Sequence, residues 1–278
     1  MGDINLVPAA GGIGVEIQDV DLSKDLSDEI FFIIKQAFID HGLIFFRNQC
    51  LTPEEHIKFA NKWGPVNINR FFTKVKGYEQ IAEVKKEGDQ TGNIGGEWHT
   101  DHSYDQIPAM GSILLAKEIP EVGGDTLFAC MYKAYESLPS EMKVTLENLN
   151  AVHSSRHVFG NQSDYVKASG DRLNNPDLAT QEAVHPVIIT HPESKRKALY
   201  VNRTFTLNFE GWTIEESKPI LDFLYDHATK HENTTRFTWQ PGSVAFWDNR
   251  CTWHYALNDY HGNKRLMHRI TIEGSALS

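Results

Sequence analysis

The chain has 278 residues, of which 40% are hydrophobic, 23% charged and 11% aromatic, values that exclude a disordered tail, a collagen-like chain and a coiled coil. With 27 basic and 37 acidic residues the formal net charge is −10, which argues against nucleic-acid binding but not against a small anion held by a local pair of arginines. Three widely spaced cysteines (Cys50, Cys130, Cys251) without a CxxC pair fit a reducing cytoplasm.

From the N-terminus, Met1 to Leu6 shows no basic stretch followed by an apolar one, so no signal peptide is expected, and Leu6 stands where an acylation signal carries Ser or Thr. Ser27 caps a predicted amphipathic helix from Asp28 towards Asp40, with Gly42 just past its end. Lys35, Gln36, Asp40 and His41 interrupt the apolar run from Ile30 to Phe46, so it is no membrane span. Leu43 to Phe46 reads as a short buried strand. Thr52-Pro53-Glu54-Glu55 is a capping box opening a second helix that should stop at Gly64-Pro65. Strands are expected at Ser112 to Ala116 and Thr126 to Cys130, then a helix from Pro139.

Residues 160–182 are polar and turn-rich and read as an irregular lid or binding loop. Strands follow at Val187 to Thr190, Leu199 to Val201, Arg236 to Trp239, Val244 to Trp247 and Ile270 to Ile272. One helix, capped by Thr213 and Glu216 and running to about Lys230, interrupts them. Helices, then strands, then one helix and more strands favour a mostly β jelly roll with flanking helices in a single domain over 1–278.

Among thirteen histidines, most pairs read as structural. His153 and His157 lie four apart without a convincing helix. His227 and His231 sit in a helix's last turn, where histidine is favoured anyway. His185 and His191 flank a predicted strand. Trp98-His99-Thr100-Asp101-His102 is different. In an extended segment residues i and i+2 point to one side, so His99 and Asp101 can grip one metal together.

A third donor is available in His254, at the end of Trp247-Asp248-Asn249-Arg250-Cys251-Thr252-Trp253-His254. Two histidines and one carboxylate on a face leave three positions open, enough for a bidentate 2-oxo acid and O2 on Fe(II). Arg265, eleven residues on, suits the far carboxylate of 2-oxoglutarate, and Arg269 can face the same interior. A zinc hydrolase using the same three ligands leaves Arg265 without a purpose, and a non-catalytic jelly-roll binding protein would not need the complete set.

These segments, with Gly123-Gly124-Asp125-Thr126, His185-Pro186-Val187, His254-Tyr255 and Arg265 to Arg269, make the chain resemble the taurine dioxygenase (TauD/TfdA) family of Fe(II)/2-oxoglutarate-dependent dioxygenases, from about Gly11 to Gly274. Met131 to Leu138 and Ser217 to Thr229 look like its aryloxyalkanoate branch. The resemblance implies a double-stranded β-helix (jelly-roll, cupin-like) core and iron held by His99, Asp101 and His254. It implies the distal 2-oxoglutarate carboxylate on Arg265 and Thr126, and Arg269 at the substrate anion or near the iron end of 2-oxoglutarate. It also implies hydroxylation coupled to release of succinate and CO2, and, by analogy, a homodimer or homotetramer.

The expected substrate is a small or medium organic anion, a sulfonate or a carboxylate such as an aryloxyalkanoate. The family places a sulfonate-binding histidine about thirty residues before the iron motif, where Asn67-Ile68-Asn69-Arg70-Phe71-Phe72 stands here. Arg70 is expected at that position, which argues against taurine itself, with Phe71 and Phe72 as an apolar wall. His102 is expected at the mouth, its backbone amide mattering more than its ring. Asn161, Tyr165 and Arg172 are candidates for closing the lid, and Trp98 and Trp253 for packing beside the ligands.

Overall fold

Capping signals account for the first helices of the computed structural model, which describes residues 4–277. The signal and acylation reading of Met1 to Asp3 falls outside the described residues. The chain begins with β1 (Asn5–Pro8) and β2 (Val15–Gln18). Helix α1 (Asp28–His41) starts where the Ser27 hydroxyl accepts the Ile30 N–H, and it ends at Gly42 in left-handed backbone (φ 66°). Only glycine fits there, since a Cβ would stand 2.5 Å from Cys251 Sγ.

Strand β3 (Leu43–Phe46) and helix α2 (Pro53–Asn61) follow, α2 closed by the Thr52/Glu55 capping box. Then come β4 (Val66–Asn67), β5 (Lys74–Val75), β6 (Tyr78–Lys86), β7 (Gly111–Glu118), β8 (Thr126–Cys130), α3 (Met131–Glu136) and α4 (Ser140–Leu146). Next are β9 (Asn150–Ser154), α5 (Arg156–Phe159), α6 (Asp164–Ser169), β10 (Glu182–Pro186), β11 (Ile188–Thr190), β12 (Lys197–Leu199) and β13 (Thr206–Phe209). The chain closes with α7 (Ile214–Ala228), β14 (Thr234–Phe237), β15 (Val244–Asp248), β16 (Thr252–Ala256) and β17 (Arg265–Ile272).

Among the described residues, β1-β2-β3-β15-β7-β17-β6-β5 form the main sheet, with β4 beside β17, and β14-β8-β16 form a second sheet. The core divides between the main sheet's two faces because side chains alternate along each strand. Ile44, Phe46, Ile113, Leu115, Val244, Phe246, Ile270 and Ile272 pack with Phe38 of α1 and Phe59 of α2. Leu43, Phe45, Leu114, Ala116, Ala245, Trp247 and Met267 instead meet Phe128, Trp253 and Phe237 of the second sheet. Phe45 stacks on Phe237 at 4.1 Å between ring centres. Full burial of each such side chain is worth about 1.5–3 kcal/mol. The inner face of β17 therefore carries Met267, and with it Arg265 and Arg269, into the space between the sheets.

The structure departs from the expectations in places. Residues 160–182 are not irregular: they hold α6 and two 3-10 turns, Gly170–Arg172 and Pro176–Leu178. Ser163 caps α6 with a weak signal that the surrounding Gly and Asn residues masked. Helix α3 has no capping side chain, and β6 mixes charged and apolar residues, so neither was anticipated. The strands at Leu199 and Arg236 begin two residues earlier than expected, and α7 ends at Ala228. Among the described residues no helix is long and apolar enough to cross a membrane.

Candidate active site and metal centre

His254 lies in the middle of β16, and the segment before Asp101 runs alongside it. His99 N–H donates to His254 O (3.2 Å) and His254 N–H to His99 O (2.8 Å). This backbone bridge sets the two imidazoles side by side, 4.0 Å between centres. Asp101 comes onto the same face: His99 Nε2 is 3.8 Å from its Oδ1 and His254 Nε2 is 4.0 Å from its Oδ2. One donor atom from each residue falls within 4.8 Å of the others, all three side chains being buried.

The protonation states suit a metal. His99 Nδ1 lies 2.7 Å from Glu97 O, which can only accept, so Nδ1 carries the proton and Nε2 is a free lone pair. Burial pushes both imidazoles down, His254 well below its ordinary value. Burial works against ionisation of Asp101, but the Arg269 guanidinium beside it holds the carboxyl well below the usual carboxylate range. Two neutral imidazoles and one carboxylate are a borderline donor set that could hold Fe(II).

The surrounding motif residues lock this cluster. Arg269 Nη1 donates to Asp101 Oδ1 (3.1 Å) and Ser112 Oγ to Oδ2 (2.7 Å). Thr100 Oγ1 donates to Asn249 O, joining the two motif segments. Asp248 is fully buried and gripped by Arg250 through Nε (2.8 Å) and Nη2 (2.6 Å). His191 Nδ1 accepts the Ser194 N–H, so Nε2 is its donor to Asp248 at 3.0 Å. His191, Asp248 and Cys251 also cluster, but Arg250 occupies both Asp248 oxygens, so this is a structural ion pair.

The triad sits on a cavity of about 780 Å3, lined also by His102, Thr126, Arg265 and Arg269. Arg265 is buried; its Nε donates to Gly124 O (3.1 Å), while its Nη2 has no partner among the described residues. Thr126 Oγ1 accepts from Trp239 Nε1 (2.9 Å), which leaves its own proton free to donate. An unpartnered guanidinium N–H and a free hydroxyl proton together fit a carboxylate. The donor set and this corner thus fit an iron ion and 2-oxoglutarate.

Arg70 is placed differently from its neighbours. It is not among the cavity-lining residues, and its Nη2 reaches both Asp105 oxygens (3.0 and 2.8 Å). Asp105 also pairs with His102 Nδ1 at 3.0 Å. The adjacent Asn69 does line the cavity. Its Oδ1 accepts the N–H groups of Phe71 and Phe72 (2.9 and 3.0 Å), which turns its Nδ2 towards His102 Nε2 at 3.4 Å. Alternation along an extended segment puts only one of two adjacent residues inside. His102, at positive φ (59°), lines the cavity.

Phe72, Tyr104, Phe159 and Phe205 form an apolar wall, of which only Phe72 was anticipated. Phe159 and Phe205 belong to segments distant in sequence, and no local pattern marks them. Of the lid candidates, Tyr165 lines the cavity and accepts the Gly95 N–H (3.3 Å). Asn161 bonds Asp177 away from it. Arg172 donates to Ser169 O (2.9 Å) and Gly92 O (2.8 Å), tying the segment after α6 to the loop that follows β6. Trp98 and Trp253 pack against the core. His153 lies on β9 and His157 on α5; His157 also lines the cavity, its Nε2 spent on Thr204 O (2.7 Å). His227 Nε2 donates to Ala134 O (2.9 Å).

The chain is similar to an alkylsulfatase of Acinetobacter baylyi, 36% identical over 98% of this chain and 85% of that protein. It is 33% identical to an alpha-ketoglutarate-dependent sulfate ester dioxygenase of Pseudomonas putida, over 98% of this chain and 90% of that one. The crystal structure of a taurine dioxygenase from Burkholderia xenovorans superposes with a TM-score of 0.83 at 30% identity, covering 99% and 93% of the two chains. With the family model for taurine catabolism dioxygenase TauD, TfdA matching residues 5–271, the chain belongs to that family.

Proposed function

We propose that this Fe(II)/2-oxoglutarate-dependent dioxygenase hydroxylates a small or medium organic anion with an apolar portion, and that a sulfate ester is the first substrate to test. The observation that carries the reading is the convergence of His99, Asp101 and His254 on a cavity that also holds the unpartnered Nη2 of Arg265. His99, Asp101 and His254 hold the iron, which with O2 and 2-oxoglutarate supplies the oxidising power to hydroxylate a substrate carbon while 2-oxoglutarate becomes succinate and CO2.

The chain's own residues then bind and orient. Arg265 and Thr126 take the distal carboxylate of 2-oxoglutarate. Arg269, already holding Asp101, keeps an unpartnered Nε facing the same buried region. Asn69 Nδ2 and the His102 backbone offer donors to the substrate anion, which replaces Arg70 in that role. Phe72, Tyr104, Phe159 and Phe205 accept its apolar portion and exclude water. The two sulfate-ester names among the relatives set the lead substrate. Hydroxylation of the carbon bearing the ester oxygen gives a product that collapses to an aldehyde and releases sulfate. Sulfonates and aryloxyalkanoates complete the panel.

The same reading takes residues 1–278 as one catalytic domain with its lid at 160–182. It places the protein in the cytoplasm, where its three free cysteines stay reduced, as a homodimer or homotetramer. The test is anaerobic addition of Fe(II) and 2-oxoglutarate, watching the visible charge-transfer band, followed by titration of the acid panel. A band shifted by one sulfate ester, with succinate and sulfate released in equal amounts under O2, is the expected result. Absence of the band in iron-loaded protein overturns the dioxygenase reading; a band shifted only by another acid overturns the sulfate-ester lead.

A further inference from the structure

Lys86 is 1% exposed, and its Nζ has no hydrogen-bond partner among the described residues. Buried cations without acceptors are costly and uncommon, so this one calls for an explanation. Lys86 ends β6 directly opposite Arg265 of β17. Val84, two residues earlier and so on the same face, lines the cavity. The ammonium lies 4.2 Å from the centre of the Tyr260 ring.

Tyr260 and Arg265 both press on Gly124: a Cβ there would stand 3.3 Å from Tyr260 Cδ1 and 3.2 Å from Arg265 Cδ. Among the described residues the neighbouring carboxylates are already engaged: Asp259 accepts the Gly124 N–H (2.7 Å) and lies 3.6 Å from Arg236 Nη2. Asp125 is engaged by Arg236 Nε (2.6 Å) and Thr238 Oγ1 (3.0 Å). Arg172, whose charge also reaches Lys86, is committed to backbone carbonyls. The corner therefore holds Lys86 Nζ and Arg265 Nη2, two donors with no acceptor among the described residues, at directly paired positions of neighbouring strands.

We propose that Lys86 is a positioning residue for 2-oxoglutarate: stacked on Tyr260 and paired across the strands with Arg265, it adds a second positive charge behind the distal carboxylate and holds the ring that packs with Arg265 around Gly124. The inference rests on the 2-oxoglutarate reading above. In a dry corner the field of a unit charge reaches well beyond contact distance. Its consequence is selectivity for a 2-oxo acid with a distal carboxylate over one without.

The experiment compares equilibrium binding of 2-oxoglutarate with that of 2-oxobutyrate, which has the same chelating head and no distal carboxylate. Both are titrated anaerobically into Fe(II)-loaded protein and read by the charge-transfer band. Lys86→Met, similar in length and uncharged, is expected to weaken 2-oxoglutarate ~10-fold, the scale of a unit charge acting over roughly 10 Å. Binding of 2-oxobutyrate stays within about twofold, and Lys86→Arg restores most of the loss. Tyr260→Leu, which removes the platform and keeps the lysine, gives the same selective loss and serves if Lys86→Met does not fold. Equal weakening of both acids, or no change in either, overturns the proposal. Failure of the unsubstituted protein to bind 2-oxoglutarate overturns the dioxygenase reading itself.

Discussion

Arg269 donates from Nη1 to Oδ1 of Asp101 at 3.1 Å, with both side chains buried. The contact joins β17 to the turn that carries Asp101, and the guanidinium also lies 4.5 Å over the Phe72 ring. It fixes the carboxylate's orientation and keeps it ionised. Arg269→Met should therefore lower Fe(II) affinity ~10–100-fold, the usual scale for losing a partner of a metal ligand. Arg269→Lys restores charge but not the fork, so it recovers the loss only in part. Anaerobic metal titration checks this, and an unchanged affinity in Arg269→Met counts against an orienting role.

The placement of Asn69 and Arg70 yields an opposed pair of outcomes. Asn69→Ala removes a buried donor at the cavity and should raise the KM for the anionic substrate ~10-fold, leaving that for 2-oxoglutarate unchanged. Arg70→Ala leaves Asp105 paired only with His102, so its main effect is a stability loss of about 1–3 kcal/mol. Steady-state kinetics with both substrates, beside urea unfolding of each variant, separates the two. A larger KM effect from Arg70→Ala than from Asn69→Ala would return the arginine to the substrate site.

That pair also marks how far the sequence could be read. His99 and Asp101 were legible because the i, i+2 rule is local, and Arg265 and Arg269 because even spacing in a strand holds over four residues. Capping boxes at Thr52 and Thr213 were legible for the same reason. Asn69 and Arg70 differ by one residue, and one residue reverses the face in extended backbone. Phe159 and Phe205 reach the cavity only through packing of distant segments. Lys86 stands in a run of charges, Lys85-Lys86-Glu87, that carries no local sign of burial, and it is strand pairing that sets it opposite Arg265.

His56 of α2 is fully buried with neither ring nitrogen hydrogen-bonded among the described residues, and burial, aided by His268 and Lys117, pushes its pKa down to about 3. The unfolded chain binds a proton there near the ordinary value of about 6.5, and the folded chain does not. Stability is thus intact above pH ~6.5 and falls by up to ~1.4 kcal/mol per pH unit as the pH drops towards about 3. His268, lowered to about 4 by burial and Lys117, acts with the same sign. His56→Leu should remove about 2–3 kcal/mol of the loss between pH 7 and 4.5. Urea midpoints at the two pH values measure it, and an equal acid loss in both proteins rules His56 out as the source.

Thr126 and Trp239 form a unit whose purpose shows in the direction of one hydrogen bond. Trp239 Nε1 can only donate, so Thr126 Oγ1 accepts at 2.9 Å and its proton is turned elsewhere. Arg265 lies 5.8 Å over the Trp239 ring, so the indole also backs the guanidinium. If the hydroxyl proton meets the 2-oxoglutarate carboxylate, Thr126→Val should weaken co-substrate binding ~10-fold, the scale of one hydrogen bond to a charged group. Trp239→Phe keeps an aromatic ring behind Arg265 and frees the hydroxyl to rotate, so a smaller loss of ~3-fold is expected. The double variant should then bind no worse than Thr126→Val alone, because the indole N–H has nothing left to orient. Additive losses would mean that the two side chains act independently, the indole through Arg265 and the threonine through its own contact.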